Sequence, residues 1–314
     1  MLPSIVTITF SPSVDKSIVA PFMIPERKIR CESSKSEPGG GGINVARAIK
    51  NLGGEALAIF PSGGHTGSLL EHLMAKEHIN HIAIKTLKET REDIMVVDNA
   101  TKSQYRFIMP GAALGEVEWK TCLKKLEEIE NLQYVVASGS LPEGVPQNIY
   151  AQIAKMLKGK KGKFIVDTSG EPLKHAMEEN LFLIKPNINE LGLIAGKKTI
   201  TPTEVEEIAR EILSKGHCEN MVVSMGASGA LLISKGFSEW ISPPTVESQS
   251  TVGAGDSLVA GIVYYLSIGK TLYEAVRYGV AAGTAATLNQ GTELCKLSDT
   301  NRIFALINKN DSRG

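Results

Sequence analysis

Six short apolar runs, rich in β-branched residues, punctuate the chain: IVTITF (5–10), ALAIFP (56–61), YVVASG (134–139), KFIVDTS (163–169), LFLIKPN (181–187) and MVVSMG (221–226). Near-continuous apolar runs of this length fit strands buried on both faces, as in a parallel sheet covered by helices. Between them lie GINVARAIKNLGG, GSLLEHLMAKEH, EVEWKTCLKKLEEIE, QNIYAQIAKMLKG and PTEVEEIAREILSKG, each with apolar residues at helical spacing and a Gly or polar stop. The alternation predicts an α/β fold: a doubly wound, mainly parallel sheet flanked by helices. The texture changes at about 14–37 and 82–110, where KIRCE, HIAIKT, DIMVVD and QYRFIM are strand-like pieces without intervening helices. They are expected to form a small β-sheet lid beside the main sheet, with residues 1–314 as a single domain. Neither an internal repeat nor a low-complexity linker divides the chain.

One apolar stretch differs from the strands. From Leu258 to Ile268 no charge occurs, and the next is Lys270, so this segment reads as a buried helix. It is preceded by QSTVGAGD (249–256), which puts Asp256 in its first turn behind three very small residues. Without bulk at Gly253, Ala254 and Gly255, the backbone N–H groups can approach a ligand, and the helix dipole favours negative charge there. That arrangement suits a phosphate. The alternative is that Asp256 only completes a helix cap with Ser250 or Thr251.

Composition narrows the partners. Of 314 residues, 42% are hydrophobic, and 34 basic residues balance 34 acidic ones, so no net field draws the chain to nucleic acid or to an anionic membrane surface. A small-molecule partner is expected. Cys31, Cys122, Cys218 and Cys295 have no C-x-x-C spacing, which points to reduced thiols in a cytoplasmic protein and not to disulfides or a zinc site. The opening MLPSIVTITFSPSVD lacks the basic start of a signal peptide, and no run reaches the roughly 18 apolar residues of a membrane span. The six histidines have no H-x-x-x-H pair, and the charge runs KKLEEIE and EVEEIARE read as solvated helix faces.

Three glycine-rich or polar motifs remain. PGGGGINVARAIKNLGG (38–54) opens a helix but fails the G-x-G-x-x-G spacing, since the third glycine would fall at Asn44 or Val45. A P-loop fails as well, because GKT at 269–271 would need glycine at Tyr264. What is left is a backbone-rich surface ending in Asn44, suited to a polyhydroxylated ligand, or else a flexible loop. IKPNINELG (184–192) places Asn187 and Glu190 three apart just after a strand, where they could hold Mg²⁺ through water or simply cap the next helix. VSMGASGALLI (223–233) ends a strand in small residues, as either a nucleotide-contacting loop or a hairpin turn.

Taken together, PGGGGINVARAIKNLGG, GSLP, KPNINEL, VSMGASGA and STVGAGDSLVAG followed by AAGTAATLNQGT resemble the ribokinase-like carbohydrate kinases, in their PfkB branch. The likeness runs from Thr7 to about Leu306 in unbroken motif order. Within the branch it is most similar to 6-phosphofructokinases of the minor type, whereas 1-phosphofructokinases and tagatose-6-phosphate kinases usually carry Lys where Gly41 stands. The resemblance implies a ribokinase-like fold, and ATP-dependent phosphorylation of fructose 6-phosphate at its C1 hydroxyl, giving fructose 1,6-bisphosphate and ADP. Tagatose 6-phosphate or fructose 1-phosphate as acceptor is the alternative, and a non-catalytic nucleotide or sugar-phosphate sensor is the alternative of another class.

By the same resemblance Asp256 is the general base, and the amides of Gly253, Ala254 and Gly255 form the anion hole. Asp15, Gly40, Gly41, Asn44 and Ser140 match sugar-binding positions, and Arg91 matches the arginine that holds the sugar's phosphate, with Lys28 and Arg106 as further candidates. Lys185, Asn187, Ser224, Gly226 and Gly229 map to ATP contacts, and Glu190 lies near Mg²⁺. A monovalent-cation site, with K⁺ as candidate ion, draws on Ser250, Val252, Ala286, Asn289, Gly291 and Glu293. Asp93 stands where close relatives tend to have Asn, which adds a negative charge near the phosphate end. The lid is expected to exclude water and to serve as the interface of a homodimer.

Overall fold

A computed structural model describes residues 4–216 and 218–311. Strand β1 (Ile5–Ile8) leads into β2 (Ser13–Ala20) and β3 (Ser33–Gly39), followed by α1 (Gly41–Asn51), β4 (Leu57–Gly63), α2 (Gly64–Lys76) and β5 (Asn80–Thr86). Then come β6 (Arg91–Asp98), β7 (Gln104–Phe107), α3 (Glu116–Glu127), β8 (Tyr134–Ser138), α4 (Ile149–Leu157), β9 (Lys163–Asp167), α5 (Glu171–Ala176), β10 (Leu181–Ile184) and α6 (Ile188–Ile194). The chain ends with α7 (Val205–Ser214), β11 (Cys218–Ser224), β12 (Ala230–Ser234), β13 (Phe237–Ile241), α8 (Ala254–Ser267), α9 (Leu272–Ala286) and α10 (Leu297–Asp311).

Nine strands form one sheet in the order β13-β12-β11-β10-β9-β8-β1-β4-β5, and four form a second in the order β3-β2-β6-β7. The large sheet is parallel from β5 to β11, as the apolar runs predicted, while β12 and β13 fold back antiparallel at one edge. Both faces are covered. Along β8, Tyr134 and Val136 face one apolar cluster and Val135 and Ala137 the other, which is why these strands read as continuous apolar runs. Helices α1, α8 and α9 cover the first face, and α3, α4 and α7 the second.

The lid is partly other than expected. HIAIKT belongs to β5, the edge strand of the large sheet, paired parallel with β4. Its Ile84 is buried in the second cluster, and α2 provides the crossover helix. KIRCE lies in the loop between β2 and β3 and forms no strand. The lid is built instead from SVDKSIVA, the polar SSKSEPG, REDIMVVD and QYRF. Along it β2 pairs parallel with β6, so that Ser13 stands opposite Arg91 and Asp15 opposite Asp93.

Helix α8 is the element that fixes the site. A Cβ on its Gly261 would come within 2.8 Å of Gly279 Cα in α9, so the two helices pack backbone to backbone. Larger side chains there would force them apart, at a typical cost of about 1–3 kcal/mol. No helix of the described residues is long and apolar enough to cross a membrane.

Candidate active site

Asp256 occupies the first turn of α8, as predicted, but neither Ser250 nor Thr251 caps the helix. The N-cap is Gly253, in the left-handed region at φ 72°, a conformation costly for any residue with a Cβ. The turn at Gly253 divides two cavities. One, of about 200 Å³, is lined by Asp15, Gly40, Asn44, Arg91, Arg106 and Asp256, among others. The other, of about 420 Å³, is lined by Ser224, Gly226, Gly229, Ala254, Gly255 and apolar side chains including Leu258 and Val280. The first-turn N–H groups of α8 have no intrahelical acceptor, and they lie in the wall that the two cavities share.

In the first cavity, Asn44 Nδ2 donates to Asp256 Oδ2 at 3.0 Å. Burial pushes the Asp256 carboxyl up to about 7; Asp167 and Asp15 push the same way, against the Asn44 hydrogen bond and the Lys185 charge. A carboxylate with an affinity for protons near neutrality is suited to general-base work. Asp15 accepts from Ser13 Oγ at 2.6 Å, and its proton affinity is also raised, chiefly by burial and further by Asp93, with Ser13 opposing. Gly39 has no room for a side chain, since a Cβ would fall 2.2 Å from Asp15 Oδ1.

Arg91 starts β6 and turns its guanidinium into this cavity. Its Nη1 donates to Met109 O at 2.9 Å, and its Nη2 reaches Ser11 O at 3.5 Å and Asp93 Oδ2 at 3.4 Å. Arg106, on β7, lines the same cavity. Lys28 sits on the exposed loop before β3, and Ser140 is exposed after β8; neither lines the cavity. Gly41 also stays out of it, packed so closely on Ser138 that a Cβ would meet Ser138 Oγ at 2.3 Å.

On the other side, Asp167 ends β9, Lys185 directly follows the adjacent β10, and the two form a buried ion pair at 3.1 Å. Burial disfavours the Lys185 charge, but Asp167, and to a lesser degree Glu190 and Asp256, outweigh it and hold the ammonium above its ordinary range. The ammonium lies against Gly255, 3.7 Å from where a Cβ would be. Asn187 and Glu190 form a reciprocal cap: Asn187 N donates to Glu190 Oε2 at 2.8 Å, and Glu190 N to Asn187 Oδ1 at 2.9 Å. Glu190 Oε1 lies outside this cap, and burial raises the carboxyl's proton affinity. A carboxylate oxygen of this kind is the hard ligand that divalent metals such as Mg²⁺ take. Lys185, Asn187 and Glu190 line neither cavity.

The residues matched to a monovalent cation come from the loop before α8, the end of α9 and the loop that follows it. Ser250 Oγ donates to Gly291 O at 2.8 Å and accepts from Val252 N at 3.2 Å. Asn289 Nδ2 donates to Leu294 O at 3.0 Å. Glu293 is engaged by Lys35 at 3.0 Å and Lys296 at 3.3 Å, and Ala286 is buried at the end of α9.

The pfkB family carbohydrate kinase profile matches residues 4–299. The chain belongs to this family. It is 44% identical over 306 residues to the ATP-dependent 6-phosphofructokinase isozyme 2 of Escherichia coli, covering 97% of this chain and 99% of that one. A 1-phosphofructokinase of Borreliella burgdorferi is 34% identical, over 98% of each chain. Among solved structures, phosphofructokinase-2 from Escherichia coli in complex with potassium superposes with a TM-score of 0.93 at 44% identity, covering 98% of this chain and all of that one. Membership makes this protein an ATP-dependent sugar-phosphate kinase with the ribokinase-like fold that the motifs implied.

Asp167, Ser13 and Thr292 were not among the predicted site residues. Thr292 borders the first cavity and donates to the buried Glu37 at 2.8 Å. Asp167 carried a legible signal, being the one charged residue that ends the run KFIVD at the carboxyl edge of the sheet, where open α/β sheets bind ligands.

Proposed function

We propose that the protein transfers the γ-phosphoryl group of ATP to the C1 hydroxyl of fructose 6-phosphate, giving fructose 1,6-bisphosphate and ADP. One observation carries this reading: the first turn of α8 turns Asp256 into the polar cavity and Gly255 into the larger, more apolar one. A sugar phosphate in the first and a nucleotide in the second would meet at that turn. Asp256 takes the proton as the hydroxyl attacks in line, and the amides of Gly253 to Gly255 with Lys185 receive the charge of the migrating group. Asp15 and Asn44 hold sugar hydroxyls, and Arg91 with Arg106 holds the phosphate at the far end. Leu258 and Val280 offer the adenine an apolar wall.

The divalent metal is Mg²⁺, held near Glu190, where it would neutralise the phosphate charge of ATP. The loops around Ser250 and Asn289 hold K⁺ through oxygen ligands, a reading supported by the potassium complex of the Escherichia coli relative. The protein works in the cytoplasm, as its four unpaired cysteines support. It forms a homodimer through the lid, where Phe22 and Ile24 are exposed in the loop after β2 and Phe107 and Ile108 at the open edge of β7.

The test is ADP release coupled to a reporter, with fructose 6-phosphate, tagatose 6-phosphate, fructose 1-phosphate and free fructose as acceptors. Fructose 6-phosphate should give the highest kcat/KM. Preference for another ketose phosphate would reassign the acceptor, and ligand binding without ADP release would leave a sensor.

A further inference from the structure

We propose that Asp93 is a specificity-determining residue: its carboxylate pairs with Arg91 in the cavity of the sugar phosphate, so that a sugar phosphate must displace it to be held. The inference rests on the sugar-phosphate kinase reading above. Asp93 pairs with Arg91 Nη2 at 3.4 Å, and both side chains are largely enclosed, 12% and 14% exposed. This is therefore not a solvated surface pair. The other terminal nitrogen is committed as well, with Nη1 on Met109 O, while Nε is buried without a hydrogen-bond partner among the described residues.

The register adds a second line of support. Asp15 and Asp93 stand directly opposite each other on β2 and β6, and both line the same cavity. The two carboxylates repel, and Asp93 is one of the charges that raise the proton affinity of Asp15. A neutral side chain at 93 would free Arg91 for another anion. The carboxylate also binds the loop that closes the cavity, accepting from Met109 N at 2.9 Å. An asparagine could accept that hydrogen bond equally well through its amide oxygen. The charge of Asp93 is therefore separable from its hold on the loop.

The charge acts on whatever anion enters. A phosphate seeking Arg91 must take Nη2 from Asp93 and then remain beside that carboxylate, whereas a neutral hydroxymethyl group neither displaces Asp93 nor is repelled by it. Asp93 lowers affinity for phosphorylated acceptors while leaving neutral ones untouched.

The experiment measures kcat and KM for fructose 6-phosphate and for free fructose in wild type, Asp93→Asn and Asp93→Ser, with melting temperatures to confirm folding and calorimetric binding of fructose 6-phosphate in the absence of ATP. Removing the charge should lower KM and the dissociation constant for fructose 6-phosphate about threefold to tenfold, moving kcat less and leaving KM for fructose within about twofold. The Ser variant carries the test if Asn fails to fold. An unchanged or raised KM for fructose 6-phosphate in a folded variant, or equal changes for both sugars, would overturn the proposal. Wild type that turns over no phosphorylated sugar would instead overturn the kinase reading on which it rests.

Discussion

Asn44 and Asp256, 212 residues apart in sequence, meet in a 3.0 Å hydrogen bond that joins the first turn of α1 to the first turn of α8. Two helix N-termini thus converge on one carboxylate. The amide donates to Oδ2, and the remaining oxygen of Asp256 is available to an acceptor hydroxyl. Asn44 therefore orients the base and partly offsets the burial that raises its proton affinity.

Asp256→Asn should lower kcat by roughly 10²–10⁴-fold, the usual share of general-base catalysis, with far smaller changes in the KM values. The amide has nearly the same shape, so the fold survives. Steady-state kinetics across both substrates check this, and near-normal turnover would remove Asp256 from the base role.

The same residue predicts a pH dependence of stability. Its folded-state proton affinity lies near pH 7 against an ordinary value of 3.8. The folded protein therefore binds the proton more tightly than the unfolded chain, and the stability this contributes is present below about pH 4 and lost as pH rises through 7. Without ligands, Asp256→Asn should be more stable than wild type at about pH 8, by on the order of 1–4 kcal/mol, with the difference shrinking toward pH 5. Chemical denaturation at both pH values measures it; a difference that grows toward low pH would contradict the raised affinity.

Glu190→Gln should raise the Mg²⁺ concentration needed for half-maximal activity several-fold while sugar KM moves little. Glutamine can still accept from Asn187 N, so the cap and the melting temperature should persist. Glu190→Ala should additionally lose the bond from Asn187 N, one half of the reciprocal cap, at about 0.5–1.5 kcal/mol, while Asn187 Oδ1 still accepts from the backbone at 190. An unchanged Mg²⁺ dependence in the Gln variant would make Glu190 a capping residue only.

The large sheet was legible because burial on both faces removes polar residues from its strands, as in YVVAS and MVVS. The lid was less so. Half-exposed strands such as SSKSEPG carry no apolar run, while HIAIKT reads like a lid strand although it closes the large sheet. The α8 turn was readable from small residues before an apolar run. Asp167 visibly ended its apolar run, but its pairing with Lys185 was not readable, because Lys185 follows the neighbouring strand and only the sheet brings the two to 3.1 Å. For the same reason sequence order hid Asp93 opposite Asp15.

Phe107→Glu should halve the solution mass of the assembly. Phe107 is 46% exposed at the open edge of the small sheet, with Ile108 at 57% beside it, and a charge there opposes apolar pairing of two lids. Light scattering after gel filtration decides it. A variant that keeps the wild-type mass would move the interface elsewhere.

Arg91→Ala asks whether the far end of the cavity recognises phosphate. The substitution removes two different things: the charge-assisted fork proposed for the phosphate, and the existing bond to Met109 O at 2.9 Å that steadies the neighbouring loop. Loop loosening affects any sugar, so it cancels when fructose 6-phosphate is compared with free fructose in the same variant. Hydrogen bonds to charged groups contribute about 1.5–3 kcal/mol each, but Asp93 must first yield the arginine, which returns part of that gain. The ratio of kcat/KM for fructose 6-phosphate over fructose should therefore fall about 10–100-fold, each 1.4 kcal/mol being about a factor of ten. A ratio that stays at the wild-type value would mean that Arg91 serves only the loop, and the phosphate would have to be held by Arg106.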